Sequence, residues 1–239
     1  MRESKSNQKD ADVPLILAVE TSGRLGSVAL AQGAKLLGER HFTGPMRHSA
    51  EVFPAILGLL QQFDKKPNQI EQVYISVGPG SFTGLRIAVT LAKTLALANG
   101  AKIIAVDTLN VIAANINSQD KSEQLGVILD AKRGQFFVAV YEKTQDGWEK
   151  ILSDSLMTAE DFLGRFTDKP IALIGEGLVF YRNNFTHKNV RVLDEKYWNP
   201  SAANVHRLGW EMAGRGQFTD PIALTPNYLR QPDVKLKSI

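Results

Sequence analysis

The chain has 239 residues, with Lys+Arg 28 against Asp+Glu 25 and a formal net charge of +3. Hydrophobic residues at 44% and charged residues at 22% are ordinary for a globular chain and exclude a disordered, collagen-like or coiled-coil one. The absence of cysteine excludes a disulfide scaffold, a zinc-thiolate site, an iron–sulfur cluster and a cysteine nucleophile, and the scattered positive excess is too small to form a nucleic-acid footprint by itself.

No stretch approaches the ~20 apolar residues of a membrane span. Met1 to Asp12 is polar, lacks the apolar core of a signal peptide and reads as a disordered tail. Pro14 to Glu20 is a short apolar strand run, and Ser27 to Ala31 and Leu36 to Phe42 are two more strands joined at Gln32-Gly33. A helix follows over His48 to Phe63, with Val52, Ile56, Leu59, Leu60 and Phe63 on one face. Pro54 fits a first helical turn. Val73 to Val77 is a strand, Gly78 to Phe82 a glycine-rich loop, and Thr83 to Ala98 a helix stopping at Asn99-Gly100. Ile103 to Val106 is a fifth strand, followed by a helix through about Ile116.

A polar stretch, Asn117 to Ser122, then separates a second half of similar order. Leu125 to Asp130 and Gln135 to Tyr141 form a hairpin around Lys132-Arg133-Gly134, and a strand follows near Trp148 to Ser153. Thr158 to Phe166 reads as helix, Ile171 to Ile174 as strand, Gly177 to Phe185 as helix and Val190 to Leu193 as strand. Ser201 to Gly214 is a last helix with a serine cap and a glycine stop. The order strand–strand–strand–helix–strand–helix–strand thus occurs twice. That doubling predicts two α/β lobes with mixed sheets, over residues 13–117 and 118–239.

The loop Gly78-Pro79-Gly80-Ser81-Phe82-Thr83-Gly84 joins a strand to a helix, where free amides can bind an anion. Gly78, Gly80, Ser81 and Thr83 are the candidates for such contacts. The loop lacks the Gly-Lys-Ser/Thr ending of a P-loop and the spacing of a dinucleotide fingerprint. The alternative is a tight turn with Ser81 or Thr83 capping the helix. That helix is apolar almost all round, with Arg86, Thr90, Lys93 and Thr94 as a narrow polar stripe. It must therefore be covered on more than one side, by its own lobe or by another chain.

Catalytic constellations are scarce. His41, His48, His187 and His206 form no metal-ligand spacing, and no Gly-x-Ser-x-Gly occurs. Asp130 ends an apolar strand, where it either faces a cleft or stabilises the turn. Arg133 to Val138 only weakly matches an RNA-recognition strand, and the surrounding topology is wrong for that module.

Several strings together resemble the TsaB (YeaZ) family. They are Leu17 to Ser22 with Ser27 to Leu30, His48-Ser49-Ala50-Glu51, Gly78 to Arg86, Leu129 to Gly134, Gly175-Glu176-Gly177 and Pro226 to Arg230. The resemblance spans about Leu15 to Arg230. It implies an actin/Hsp70-like fold of two RNase H-like lobes, each a mixed five-stranded sheet flanked by helices, in which the last helix and tail can pack back on the first lobe. It implies a role in making N6-threonylcarbamoyladenosine in tRNAs that read codons beginning with A. In that system the paralogue TsaD carries the metal site and performs the transfer, TsaB is its non-catalytic partner, and the ATPase TsaE joins them. The implied setting is the cytoplasm, with no membrane and with tRNA met only through the complex. The resemblance implies no tightly bound cofactor, with ATP or ADP at the interface with TsaD and TsaE as the open alternative. It also implies a homodimer when TsaD is absent. The partner interface expected on the two first-lobe helices comprises Val52, Ile56, Gly84, Arg86, Ala92, Lys93, Ala96 and Leu97.

Two departures matter. The family usually has Asp where this chain has Glu20, and the partner's His-x-x-x-His pattern is broken here by Val52 after His48. Other readings are an active ATPase or small-molecule kinase of the same fold, or an M22-type metallopeptidase. The first would need a glycine-rich phosphate hairpin in each lobe, yet Lys132-Arg133 stands in the second. The peptidase would need a ligand set that the sequence does not supply.

Overall fold

The computed structural model describes residues 13–116, 122–145 and 147–230. The expected tail before Val13 and most of the expected boundary at Asn117 to Ser122 lie outside these residues.

In the first sheet, β1 (Leu15–Glu20), β2 (Ser27–Gln32) and β3 (Lys35–His41) form an antiparallel meander. On the other side of β1, β4 (Ile70–Gly78) and β5 (Lys102–Asp107) add in parallel, giving the order β3-β2-β1-β4-β5. The second sheet repeats this pattern. Here β6 (Gln124–Asp130), β7 (Gln135–Thr144) and β8 (Gly147–Thr158) are antiparallel, β9 (Ile171–Ile174) and β10 (Val190–Val192) add in parallel, and the order is β10-β9-β6-β7-β8. These are the two mixed five-stranded sheets that the doubled order of elements predicts.

Parallel neighbours need crossover connections. The helices α1 (His48–Gln62) and α2 (Phe82–Asn99) supply them in the first lobe, and α3 (Thr108–Ala113) follows β5. In the second lobe α4 (Ala159–Phe166) and the single-turn α5 (Leu178–Tyr181) do so. The helix expected over Gly177 to Phe185 is shorter than its pattern, because Arg182–Phe185 tightens into a 3₁₀ turn. The chain then returns to the first lobe through α6 (Ala202–Gly214).

Central strand β1 is buried at all six positions, as its unbroken apolar run requires when helices cover both faces. Leu15, Leu17 and Val19 meet Val52, Ile56, Leu59 and Leu60 of α1 and Ala88 and Ala92 of α2. On the opposite face Ile16 and Ala18 meet Ala202 and Val205 of α6, with Tyr74 and Val106 beside them. Pro54 sits in the second turn of α1 rather than the first. Both it and Ala50, whose carbonyl loses its helical donor, are exposed to water.

The all-round apolarity of α2 has an internal explanation. Its inner side lies on the sheet and beside α1, and the returning chain covers a further side through Leu224, which is buried in the same core. Outward there remains the stripe Phe82, Arg86, Thr90, Thr94 and Leu97.

Two glycine substitutions should separate close packing from helix propensity. A Cβ at Gly84 would overlap the Thr21 carbonyl oxygen, whereas one at Gly164 in α4 meets nothing within 4 Å. Gly84→Ala is expected to cost ~1–3 kcal/mol, and Gly164→Ala to stabilise by ~0.5–1 kcal/mol. Urea unfolding of both variants beside the parent checks the opposite signs.

Candidate functional site

The site forms where the first hairpin, the glycine-rich loop and the second hairpin converge between the lobes. Burial of His48 starts it. Its Nε2 lies 3.0 Å from the Gly23 carbonyl oxygen, and its ring stands beside Phe42 with 5.8 Å between centroids. Its Nδ1 is buried without a partner, and burial holds the ring's pKa below the ordinary value, so a neutral imidazole fixes the turn. A Cβ on Gly26 would strike both rings.

Glu20 ends β1 in complete burial. Its carboxylate accepts from the Ser22 amide at 2.6 Å, from Ser22 Oγ at 2.5 Å and from Ser76 Oγ. Burial raises its pKa, and the hydroxyl and amide donors pull it back. The glycine-rich loop then closes on the same turn. Ser81 N donates to the Ser22 carbonyl at 2.7 Å, Ser81 Oγ accepts from Gly84 N at 3.3 Å, and Thr21 Oγ1 donates to the Gly84 carbonyl at 2.8 Å. Ser81 is therefore the helix cap.

From the second lobe, Asp130 accepts from Lys132 N at 2.7 Å and from Lys132 Nζ at 2.6 Å. It holds a turn in which Lys132, Arg133 and Gly134 all have left-handed φ, at 65°, 58° and 71°. Glu176 enters the cleft from the loop after β9 and accepts from Arg24 N at 2.8 Å, a direct contact between lobes. Burial pushes its carboxyl up, the Arg24 amide lowers it, and the nearby negative charge of Glu20 raises it again, to about 7. Arg24 lies over the Phe180 ring at 4.9 Å. What remains between these walls is a cleft of about 860 Å³, with residues 227–230 along one side.

The model of the family described as TsaD, tRNA N6-adenosine threonylcarbamoyltransferase, matches residues 45–190. The tRNA threonylcarbamoyladenosine biosynthesis protein TsaB of Bacillus subtilis (strain 168) is 31% identical over 229 residues, covering 94% of this chain and 97% of that protein. The chain belongs to the TsaB family. TsaB of Escherichia coli (strain K12) is 28% identical, with 90% and 94% covered. The solved structure of YeaZ from Pseudomonas aeruginosa superposes with a TM-score of 0.78 at 23% identity, over 90% of this chain and 100% of that one, a likeness of fold.

Two-lobed folds of this kind suggest a nucleotide between the lobes, but the residues of this TsaB family member do not fit one. Two of the amides that a phosphate would use, those of Ser81 and Gly84, are spent on the Ser22 carbonyl and on Ser81 Oγ. The second hairpin presents Lys132 and Arg133 where a phosphate loop needs small residues. A metal fares no better. His48 points into the hairpin turn, Val52 faces the core, and among the described residues no three His, Cys, Asp or Glu are grouped to hold an ion.

The residues expected at a partner interface divide in two. Val52, Ile56, Gly84 and Ala92 are buried inside the protomer and have no surface to offer, which corrects that expectation. Arg86 and Leu97 are exposed, and Lys93 and Ala96 half-buried. On α1 the outward positions lie one residue further on, at Phe53 and Leu57, each 57% exposed. Glu176 is the cleft residue that residue-by-residue reading missed. Its signal was an acid between Gly175, at φ +115°, and Gly177, both pressed against the Ile128 backbone.

The raised Glu176 pKa has a definite sign in solution. Between pH 4.5 and 7 the folded state holds a proton that the unfolded chain has released, so stability falls as pH rises through that window. His48 and His206, both lowered by burial, act oppositely below 6.5. Glu176→Gln should remove the first slope alone. Relative to the parent, the variant should gain on the order of 3 kcal/mol between pH 4.5 and pH 8. Denaturant midpoints across that range check it.

Proposed function

We propose that this chain is a non-catalytic subunit of the apparatus that makes threonylcarbamoyladenosine in tRNA, acting by binding a TsaD-type partner and supporting recruitment of TsaE. Its relatives are named for that biosynthesis, and family membership carries involvement in it to this chain. One observation carries the non-catalytic part. Each carboxylate at the cleft is engaged by this chain's own groups: Glu20 by Ser22 and Ser76, Asp130 by Lys132, and Glu176 by the Arg24 amide. These bonds occupy lone pairs that a general base would need for its substrate, which supports the non-catalytic reading.

The outward face of α1 and α2 supports the partner part. Phe53 and Leu57 stand one turn apart on α1, and Leu97 on α2 is 90% exposed. Unpartnered apolar side chains on neighbouring helices suit a helix-bundle contact with TsaD. The same face would close on a second copy as a two-fold dimer when TsaD is absent, making the two associations exclusive. Any ATP or ADP then binds at the surface shared with TsaD and TsaE, tRNA is met through the assembled complex, and the setting is the cytoplasm. Among the described residues no helix is long and apolar enough to cross a membrane.

Reconstitution with TsaD, TsaE and threonylcarbamoyl-adenylate tests the reading. Modification should require this chain, and full-rate modification without it would refute the proposal. Asp130→Ala should retain activity within about tenfold, since loss of a true acid–base group costs on the order of 10²–10⁴. Leu57→Glu and Leu97→Glu place a charge in a desolvated contact, which costs several kcal/mol. Light scattering should then report a monomer, and co-purification with TsaD should fail while circular dichroism stays native.

A further inference from the structure

The chain after α6 makes contacts that neither the sheet cores nor a partner surface calls for. Thr219 N donates to the Ile103 carbonyl at 2.8 Å beside β5, and Leu224 is buried against α1 and α2. These contacts fix the approach firmly to the first lobe. Asn227 N then donates to the Val77 carbonyl at 2.7 Å, where β4 ends. The Asn227 carbonyl oxygen lies where a Cβ on Gly78 would be, at 2.6 Å, so this crossing requires glycine there. Tyr228 accepts from Arg86 Nε at 3.2 Å and packs against Phe82 with ring centroids 5.0 Å apart.

Three residues after Asn227 the chain is bonded to the other lobe. The Arg230 guanidinium donates to the carbonyls of Ala131 and Lys132, the latter at 3.1 Å, and to the Gln135 side chain. Ala131 and Lys132 lie in the turn between β6 and β7, and Gln135 is the first residue of β7. A planar fork of five donors suits several fixed acceptors at once, which a lysine could not match.

We propose that residues 226–230 are an internal clamp, which holds the two lobes together across the cleft in the mechanical role that a bound ligand plays in a two-lobed protein, with Arg230 as the latch. The span from Asn227 to Arg230 is three peptides and reaches at most about 11 Å. With the length of the Arg230 side chain added, this short span limits how far the lobes can swing apart before the bond to Val77 or the bonds to the turn break. The latch acceptors are two carbonyls and a side-chain amide, so Arg230 holds the turn without an ion pair of its own for salt to screen, while Asp130 in the same turn is paired with Lys132. Glu176, on its Arg24 amide, ties the lobes a second time within the cleft. Closure is therefore built into the chain and does not wait for a nucleotide.

Because the chain has no cysteine, two introduced thiols can carry spin labels without interference. Ser49→Cys on α1 and Glu160→Cys on α4 report the distance between lobes, both positions being exposed. The clamp requires one narrow distance that millimolar MgATP and 1 M NaCl leave unchanged. In that background Arg230→Ala should broaden the distribution and lengthen its mean by at least ~5 Å, with Arg230→Lys in between. Inserting three glycines between Tyr228 and Leu229 keeps every contact residue but frees the length, and should open the lobes as well. That insertion decides the matter if Arg230→Ala fails to fold. An unchanged distribution in the insertion variant, or a shift of the parent on MgATP, overturns the proposal.

Discussion

Two backbone carbonyls in front of one helix set the character of this molecule. The oxygens of Thr21 and Ser22 occupy the space before the first turn of α2, and Gly80 and Gly84 have no Cβ to keep them out. In a helix–strand protein this is the natural seat for an anion, since the first amides of the helix point into it and the macrodipole favours negative charge. Here the seat is taken by the chain's own peptide dipoles. The Ser22 carbonyl receives Ser81 N, and the Thr21 hydroxyl returns a bond to the Gly84 carbonyl. The hairpin and helix become one unit. That unit fixes the Arg24 amide that meets Glu176 and the end of β4 that meets Asn227.

Much of this architecture was legible in the residues. The unbroken apolar run of β1 and the two tight hairpins gave the meander, because a short apolar run bounded by turn chemistry is a local signal. The doubled order of elements gave two lobes without any sequence repeat, since topology depends on the kinds of elements and not on their residues. Lengths were less readable. β8 extends to Thr158 because it pairs with β7 along its whole length, and pairing is a long-range fact. α5 stops at Tyr181 although its pattern continues, since the packing of Phe185 on Phe136 and Phe162 tightens the chain into a 3₁₀ turn.

The site was read less well, and the reason is geometric. Val52 and Ile56 lie on the strongest apolar stripe of α1, and a strong stripe marks the side facing a protein's own sheet. An outward interface shows instead as apolar residues off that stripe, here Phe53 and Leu57. The same reasoning accounts for Ala92, which is small because helix and sheet approach closely, not because a second chain does. The contacts across the cleft lay beyond single-sequence reading. Arg24 and Glu176 are 152 residues apart, and Asp107 and Lys150 are 43 apart. Nothing in their local spacing announces that they meet.

The glutamate at the end of β1 is put to structural use. An aspartate at position 20 would be one methylene shorter. Glu20 instead spans to its neighbour in the sheet, because β1 and β4 run in parallel with Val19 beside Ile75, which puts Ser76 next in line. One carboxylate oxygen takes Ser76 Oγ and the other takes the Ser22 amide and hydroxyl. The acid thereby joins β1, β4 and the hairpin turn at the place where all three approach the cleft. Burial raises its pKa, and the donors that converge on it offset part of that cost. Burial is the main cause of the raised Glu176 carboxyl, and the negative charge of Glu20 adds to it. The longer side chain thus commits this acid to the sheet and the hairpin turn together.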